Sequence, residues 1–276
     1  MSCTNHAFFP QAVRVLIMSA AASIALAATS VHAQQAYILT DAASNNLGLI
    51  DLASGNVTNT VTTSVALTGG LVQTGDGNFF GASAGQLYAV DPTSGTATPI
   101  GGAANGYYLA SDSTSLYGIL GSDFSLLYSI DKSTGAVTVI GSGTGLPSTP
   151  ASYGFSTANA SLFVLADTGS GDSLLYQIDT VTGTAGVGKD TGVSGLDALT
   201  NVGGVLYAVN DTDQTIYQID ALSGLASPTA ASLSAYFTSS GATQTTSLTP
   251  VPETGTAVAV LFGLAGLALL ANRRNT

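Results

Sequence analysis

Acid–base chemistry in residues 34–250 would depend on aspartate, because this stretch holds 15 Asp and no Glu, His, Cys, Arg or Trp. Its other charged side chains are Lys132 and Lys189, which leaves a formal charge of −13. Without imidazole or thiol, the stretch can build neither a Ser-His-Asp or Cys-His nucleophile site nor an imidazole or thiolate site for zinc or copper. The acidic balance also argues against nucleic acid as a partner.

Paired carboxylates could still hydrolyse glycosidic bonds. Such enzymes need a proton donor poised near neutral pH, usually Glu, beside a second carboxylate. Here every carboxylate before Glu253 is Asp, and five of these Asp occupy a repeated turn position. We therefore expect no catalytic residue and no organic cofactor. Two Asp lining one central funnel would favour a secreted glycoside hydrolase or lyase, whereas a funnel covered by Ser and Thr would argue against an enzyme.

Two short oxygen-rich loops are candidate Ca²⁺ sites. One carries Asp167 and Asp172, and the other carries Asp211 and Asp213. Carboxylate oxygens are ligands that Ca²⁺ prefers, but neither loop matches the twelve-residue calcium loop or supplies its terminal Glu. The alternative for both loops is a solvated turn with a local side-chain cap.

The elements that carry the Asp residues form a repeat. A run of apolar residues ending in Asp-x-x-Ser/Thr-Gly occurs five times, and its Asp residues lie 40, 40, 48 and 41 positions apart. Alternating apolar residues predict a half-buried strand, while Asp accepts turn N–H groups and Gly supplies a positive φ. The five turns carry Asp51 and Gly55, Asp91 and Gly95, Asp131 and Gly135, Asp179 and Gly183, and Asp220 and Gly224.

A period of about 40–50 residues with strand-like units is typical of a propeller or an array. One strand precedes each unit, one follows it, and a weaker one lies earlier, which makes four strands per blade. We predict an all-β domain over residues 34–250, folded as a five-bladed β-propeller of four-stranded antiparallel blades. The first copy has room for only three strands, so residues 233–238 or 244–248 should supply its inner strand. A right-handed β-solenoid-like stack is the rival.

Tyrosine recurs in register in four of the repeat units, at Tyr88, Tyr128, Tyr176 and Tyr217. We expect these rings to pack between blades with their hydroxyls at the rim. A surface on which saccharides stack is the functional alternative.

The N-terminal segment, residues 1–33, is predicted to be a signal peptide. Arg14 precedes an apolar run at 15–28 that is too short to span a bilayer comfortably. Small residues at Val31 and Ala33 fit cleavage after Ala33 by signal peptidase. A retained N-terminal anchor is the alternative.

The C-terminal segment, residues 251–276, has three parts. A short motif at 251–255 is followed by an apolar run at 256–271 and a basic end at 272–276. We expect the apolar run to form a transmembrane helix and the basic end to stay in the cytoplasm. A buried C-terminal helix is the alternative, but such a helix would lack a polar face. The residues that would direct sorting are Val251, Pro252, Glu253, Thr254, Arg273 and Arg274.

This tail resembles the PEP-CTERM sorting signal of Gram-negative bacteria, which an exosortase, a membrane protease, processes. It departs from that family at Thr254, where a second Pro is usual. The motif is also similar to the sortase recognition motif of Gram-positive walls, with Val251 where Leu is usual. The short, Lys-free signal peptide favours processing by an exosortase over processing by a sortase. The repeats resemble those of secreted bacterial propellers with Leu-Tyr-x-Ile-Asp units, a likeness that implies no activity.

The resemblance implies a precursor anchored in the inner membrane that later reaches the cell surface or the outside. It also implies association with exopolysaccharide or a biofilm matrix. We therefore expect a non-enzymatic binding or structural module. Its partners would be signal peptidase, an exosortase-type protease, and an extracellular polysaccharide or a surface protein. The alternatives are a secreted glycoside hydrolase or lyase that uses Asp, and a protein-docking scaffold anchored by a sortase.

Overall fold

The computed structural model describes residues 34–40, 45–83, 85–101, 107–112, 114–120, 123–148, 152–158, 161–234, 236 and 245–251. These residues form twenty strands, and helical conformation among them is confined to Ser234 and Tyr236. In chain order the strands are β1 (Gln35–Thr40), β2 (Asn46–Asp51), β3 (Val57–Thr62), β4 (Leu71–Gln73), β5 (Phe79–Ser83), β6 (Gln86–Val90), β7 (Ala97–Ile100), β8 (Tyr107–Ser111), β9 (Leu116–Leu120), β10 (Asp123–Ile130), β11 (Val137–Ile140), β12 (Ser152–Ala158), β13 (Ser161–Asp167), β14 (Leu174–Ile178), β15 (Lys189–Asp190), β16 (Leu196–Val202), β17 (Val205–Asn210), β18 (Thr215–Ile219), β19 (Ala226–Ser232) and β20 (Thr245–Pro250).

The strands pair into five four-stranded antiparallel sheets, which are the blades of a β-propeller. Blade 1 has the order β20-β1-β2-β3, and blades 2 to 5 are built from β4–β7, β8–β11, β12–β15 and β16–β19. The inner strands β4, β8, β12, β16 and β20 contact one another in sequence around the ring. The prediction of five four-stranded antiparallel blades is confirmed, and the solenoid-like stack is excluded.

The last strand closes the ring on the first. Strand β20 pairs antiparallel with β1, from Ala36 opposite Pro250 to Thr40 opposite Thr245. Of the two segments expected to supply this strand, the later one is correct, although the strand extends two residues beyond the predicted end at 248. In the earlier segment, Leu233 and Tyr236 are instead buried in the core between blades 5 and 1. Their bulk fills that interface, while the polar β20 takes the axial position.

The hydrophobic core consists of five clusters, each lying between two adjacent blades. In blade 4, Tyr176 and Ile178 face blade 3, whereas Leu175 faces blade 5. The same division holds for Leu127, Tyr128 and Ile130 in blade 3. Because each blade is covered on both faces, the repeat unit carries apolar side chains at consecutive positions and does not alternate strictly.

Each repeat unit ends in a hairpin turn held by its Asp. The amide of the turn Gly donates to the Asp carbonyl oxygen in all five blades, at 2.7–2.8 Å. The Asp carboxylate accepts a backbone N–H from the residue two positions on, for example Ser133 N to Asp131 Oδ1 at 2.9 Å. All five turn glycines have positive φ, between 70° and 89°. These bonds pair the N–H groups of the turn with acceptors inside the same turn.

The turn glycines also lie where one blade meets the next. A Cβ added at Gly95 would collide with the carbonyl of Thr62, at the end of β3 in blade 1. Gly55 lies equally close to Ser232, at the end of β19, so the contact also occurs where the ring closes. Glycine is needed at these positions both for its positive φ and for the close approach of two backbones.

Blade 4 departs from the repeat at its outer strand. Strand β15 has only two residues, and one isolated bridge, Ile178 to Ala185, precedes it. A Cβ at Gly188 would collide with the ring of Tyr176, so glycine lets the chain pass close to this ring before β15. The 48-residue spacing comes from an extra segment after β11, which places Leu146 in the core between blades 3 and 4.

Candidate functional site

A funnel opens where the carboxyl-terminal ends of the five inner strands meet. Its cavity of about 540 Å³ is lined by residues of all five strands. Each inner strand pairs with the second strand of its blade, and this pairing identifies the equivalent residue in every blade. The equivalent residues nearest the opening form a row around it. The row consists of Gln73, Ser111, Thr157, Asn201 and Pro250. The opening is therefore surrounded mainly by neutral hydrogen-bonding groups.

Hydroxyl groups in the funnel link neighbouring blades. Ser111 Oγ donates to the carbonyl oxygen of Gln73 at 2.6 Å, and Thr157 Oγ1 donates to that of Ser111 at 2.5 Å. Thr249 Oγ1 of blade 1 donates to the carbonyl oxygen of Leu71 in blade 2, a bond one to two positions deeper along the inner strands. The oxygens of the half-buried Ser111 and Thr157 hydroxyls keep lone pairs that can accept a hydrogen bond from a ligand.

One aromatic ring lies among these polar groups. Phe155, on β12, lines the funnel and packs against the core between blades 3 and 4 while remaining half-buried. Its neighbour Ser156 is also half-buried and lines the cavity. An aromatic face beside neutral donors and acceptors is a common arrangement for holding a polyhydroxylated ligand.

Among the described residues that line the funnel, Asp112 is the only carboxylate. It accepts hydrogen bonds from Ser115 N at 2.6 Å, Thr114 N at 2.8 Å and the Tyr117 hydroxyl at 3.0 Å. Partial burial alone would raise the pKa of Asp112, but these hydrogen bonds outweigh it and lower the pKa below its usual value. Asp112 is therefore ionised near neutral pH and cannot serve there as a proton donor. No second carboxylate stands beside it in the described lining.

The candidate Ca²⁺ ligands are partly engaged in their own loops. Asp167 Oδ1 accepts Gly169 N at 2.9 Å. The Asp213 carboxylate accepts hydrogen bonds from Thr215 N at 2.9 Å and from the Tyr217 hydroxyl at 2.8 Å. Across the described part of the chain, no three His, Cys, Asp or Glu side chains come together as a metal-binding group. Binding of Ca²⁺ by these loops, which also contain Asp172 and Asp211, stays a prediction.

The two ends of the propeller lie side by side. Strand β1 begins opposite the end of β20, and Val251 N donates to the carbonyl oxygen of Gln35 at 3.3 Å. Gln34 is held as well, because its carbonyl oxygen accepts Leu52 N at 2.7 Å. The described chain therefore begins and ends within blade 1.

Most of the predicted sorting residues lie outside the described residues: Ala33, Pro252, Glu253, Thr254, Arg273 and Arg274. The same holds for the predicted signal peptide, 1–33, and transmembrane segment, 256–271. Within the described ranges, no helix has the length and apolar character needed to cross a membrane.

Large apolar side chains are exposed where blades 4 and 5 meet on the outside of the ring. Val187 is 89% exposed and Leu222 is 87% exposed. The two segments that carry them are joined by Lys189, whose Nζ donates to the carbonyl oxygen of Ala221 at 2.9 Å. Leu225, 59% exposed, lies on the same hairpin as Leu222.

Comparison with known proteins supports the fold and nothing finer. No protein-family model and no curated protein sequence matches the chain. A protein of unknown function from Bacteroides thetaiotaomicron aligns with a TM-score of 0.50 and 17% identity, over 71% of this chain and 58% of that one.

Two enzymes align at lower TM-scores. Virginiamycin B lyase from Staphylococcus aureus gives 0.43 with 14% identity, over 69% of this chain and 68% of that one. Glutaminyl cyclase from Myxococcus xanthus gives 0.42 with 18% identity, over 71% of this chain and 73% of that one. Likeness at this level transfers no activity to the present chain.

Sequence reasoning missed the funnel residues. Gln73, Ser111, Thr157 and Asn201 lie on inner strands, outside the repeated apolar units that marked each blade in the sequence. Their position relative to the aromatic residues of the next strand could have identified them. In each blade, the funnel residue follows a position that pairs with an aromatic residue of the next strand, such as Tyr117 or Phe163.

Proposed function

We propose that the protein is exported, held briefly in the inner membrane by its C-terminal segment, and then delivered to the cell surface or the extracellular matrix. There the propeller acts as a binding or structural module and not as an enzyme. The observation that carries the binding role is the chemistry of the funnel: neutral hydrogen-bonding groups, one aromatic ring, and one carboxylate already occupied by a local turn.

The negative charge of the domain restricts the class of ligand that it can bind. Residues 34–250 contain 15 Asp and 2 Lys, so an anionic ligand would be repelled. Neither Lys132 nor Lys189 is among the residues that line the funnel. A neutral saccharide, such as an exopolysaccharide segment, fits these groups better than a uronate or a phosphorylated sugar.

The binding role is tested by co-sedimentation of the exported protein with neutral and anionic polysaccharides. Ser156→Ala removes a hydroxyl from the funnel and should weaken retention on the neutral polymer. Thr98→Ala, on the exposed outer strand β7, is the matched control and should leave retention unchanged. Equal retention of wild type and Ser156→Ala, or preference for the anionic polymer, would contradict the proposal.

The enzymatic alternative is tested in the same samples. Release of new reducing ends or unsaturated products that is abolished in Asp112→Asn would favour a hydrolase or lyase. We expect no products from wild type, because the described residues of the funnel supply no carboxylate pair.

Protein docking is the second candidate function, and the exposed apolar residues at the junction of blades 4 and 5 favour it. Val187→Ser with Leu222→Ser should then reduce capture of a surface protein while leaving polysaccharide retention intact. Loss of polysaccharide retention in this double variant would instead place the ligand on the outer face.

A further inference from the structure

Gln34 occupies an unusual position in the folded propeller. It precedes β1, yet its side chain reaches blade 5, where the Tyr207 hydroxyl donates to Gln34 Oε1 at 2.7 Å. Tyr207 is fully buried in the core between blades 5 and 1. Together with the bond from Leu52 N to the Gln34 carbonyl oxygen, this contact ties the start of the domain to both blades that meet at the ring closure.

The direction of the Tyr207 hydrogen bond is set by a third residue. Gln218 Nε2 donates to the Tyr207 hydroxyl oxygen at 3.1 Å. The tyrosine proton is therefore directed away from Gln218 and toward Gln34 Oε1. This arrangement presents a donor to the oxygen of the Gln34 side-chain amide.

We propose that Gln34 is a modification site at which the mature chain cyclises to pyroglutamate. This inference rests on the proposed export, because cleavage after Ala33 makes Gln34 the first residue. The α-amino nitrogen of Gln34 attacks its own Cδ, the Cδ–Nε2 bond breaks, and Nε2 leaves as ammonia with the proton from the amine. The product is a five-membered lactam, and no oxidant, reductant or co-reactant is consumed.

Both hydrogen bonds that Gln34 makes with described residues use atoms that survive this reaction. Its two hydrogen bonds engage the backbone carbonyl oxygen and Oε1, which becomes the lactam oxygen. Within the described residues, Gln34 Nε2, the atom lost as ammonia, has no acceptor. Cyclisation also removes a charged α-ammonium from Gln34, a half-buried residue at which the hydration of that charge would be reduced.

Tyr207 is placed to assist the reaction. Attack on Cδ moves negative charge onto Oε1, and a donor already aimed at that oxygen stabilises the charge as it develops. The attacking amine and Cδ belong to one residue, so no approach of a second molecule is required. The folded protein should therefore cyclise faster than the unfolded chain.

The test is mass spectrometry of the mature N-terminus, on full-length protein exported by a host that lacks a glutaminyl cyclase. Protein collected after a short pulse is incubated at neutral pH, and its N-terminal peptide is followed with an amine-labelling reagent. We expect a peptide that begins at residue 34, loses the mass of one ammonia and becomes unreactive toward the label. Gln34→Glu keeps an acceptor oxygen for Tyr207 and should stay reactive over the same interval.

The outcomes separate this inference from the proposed export. A peptide that begins at Gln34 and keeps its ammonia and its reactive amine would overturn cyclisation while leaving signal cleavage intact. A peptide that begins elsewhere would overturn cleavage after Ala33, and the inference with it. Tyr207→Phe should cyclise about fivefold more slowly, the factor expected for one neutral hydrogen bond. If that variant does not fold, wild-type protein in urea replaces it, and equal rates in the folded and unfolded chains would overturn the role of Tyr207.

Discussion

Substitution of Gly95 by alanine should destabilise the ring far more than the same change at Gly77. Both residues have positive φ, 74° at Gly95 and 85° at Gly77, so both substitutions carry the same backbone penalty. The surroundings differ. A Cβ on Gly77 would meet no atom within 4 Å, whereas one on Gly95 would collide with the carbonyl of Thr62 in the neighbouring blade.

The size of the difference follows from these contacts. Forcing a residue with a Cβ into the left-handed region costs about 1 kcal/mol, and this is the whole expected loss for Gly77→Ala. At Gly95 the obstacle is backbone, with Thr63 Cα also 3.3 Å from the added atom, so blades 1 and 2 must separate. Overpacking of this kind costs about 1–3 kcal/mol. Separation also weakens the 2.9 Å bond from Ser64 N to the Gly95 carbonyl oxygen, worth about 1 kcal/mol.

We therefore expect Gly95→Ala to lower the free energy of unfolding by about 3–5 kcal/mol, against about 1 kcal/mol for Gly77→Ala. For a domain of this size, the Tm should fall by about 6–20 °C in the first case and about 2–4 °C in the second. Thermal and urea unfolding of residues 34–251, followed by circular dichroism, measure both values. Equal losses in the two variants would refute the contact between blades as the reason for glycine at the turns.

Three further predictions concern pH, ions and ring closure. Hydrogen bonds from the Ser133 hydroxyl and Thr134 N hold the pKa of Asp131 at about 2, below its unfolded value of about 3.9. The resulting stabilisation is present above about pH 4 and is lost as the pH falls toward 2, so the urea midpoint should drop across that window, and less so in Asp131→Asn. With 15 Asp against 2 Lys, the Tm should rise with NaCl at low ionic strength. If the loops at 167–172 or 211–213 bind Ca²⁺, millimolar Ca²⁺ should raise the Tm more than NaCl of equal ionic strength, and equal shifts would contradict binding. A chain that ends at residue 244 lacks β20 and should lose cooperative unfolding, whereas a chain that ends at Val251 should keep it; cooperative unfolding of the shorter chain would contradict closure by β20.

The sequence was sufficient for the parts of the fold that are built locally. The turns are one such part, because the bonds around Asp131 and Gly135 join residues within a few positions of each other. The five copies of that pattern also predicted the number of blades, since each blade has one such outer hairpin. The apolar Leu-Tyr-x-Ile units predicted strands. Their consecutive apolar positions are explained only by the fold, because each blade is packed against a neighbour on both faces.

The funnel could not be predicted in the same way. Its polar residues, Gln73, Ser111, Thr157 and Asn201, come from four inner strands and lie 38, 46 and 44 positions apart along the chain, and Gln73 lies on a strand of only three residues. A strand as short as β4 is stabilised by its neighbours and carries little pattern of its own. The sequence also left open which of two segments supplies the closing strand. Only the packing shows that Leu233 is a core residue and that the later, polar segment pairs with β1.

The measurement that tests the proposed function most directly is mass spectrometry of the C-terminus of protein recovered outside the cell. Strand β20 ends at Pro250, so a cut just beyond Val251 would leave the ring closed and separate it from the apolar segment at 256–271. We expect a C-terminus near Pro252 on extracellular protein, and an uncut C-terminus only on the membrane-bound precursor. An intact Thr276 on extracellular protein would contradict the proposal that the tail is a sorting signal.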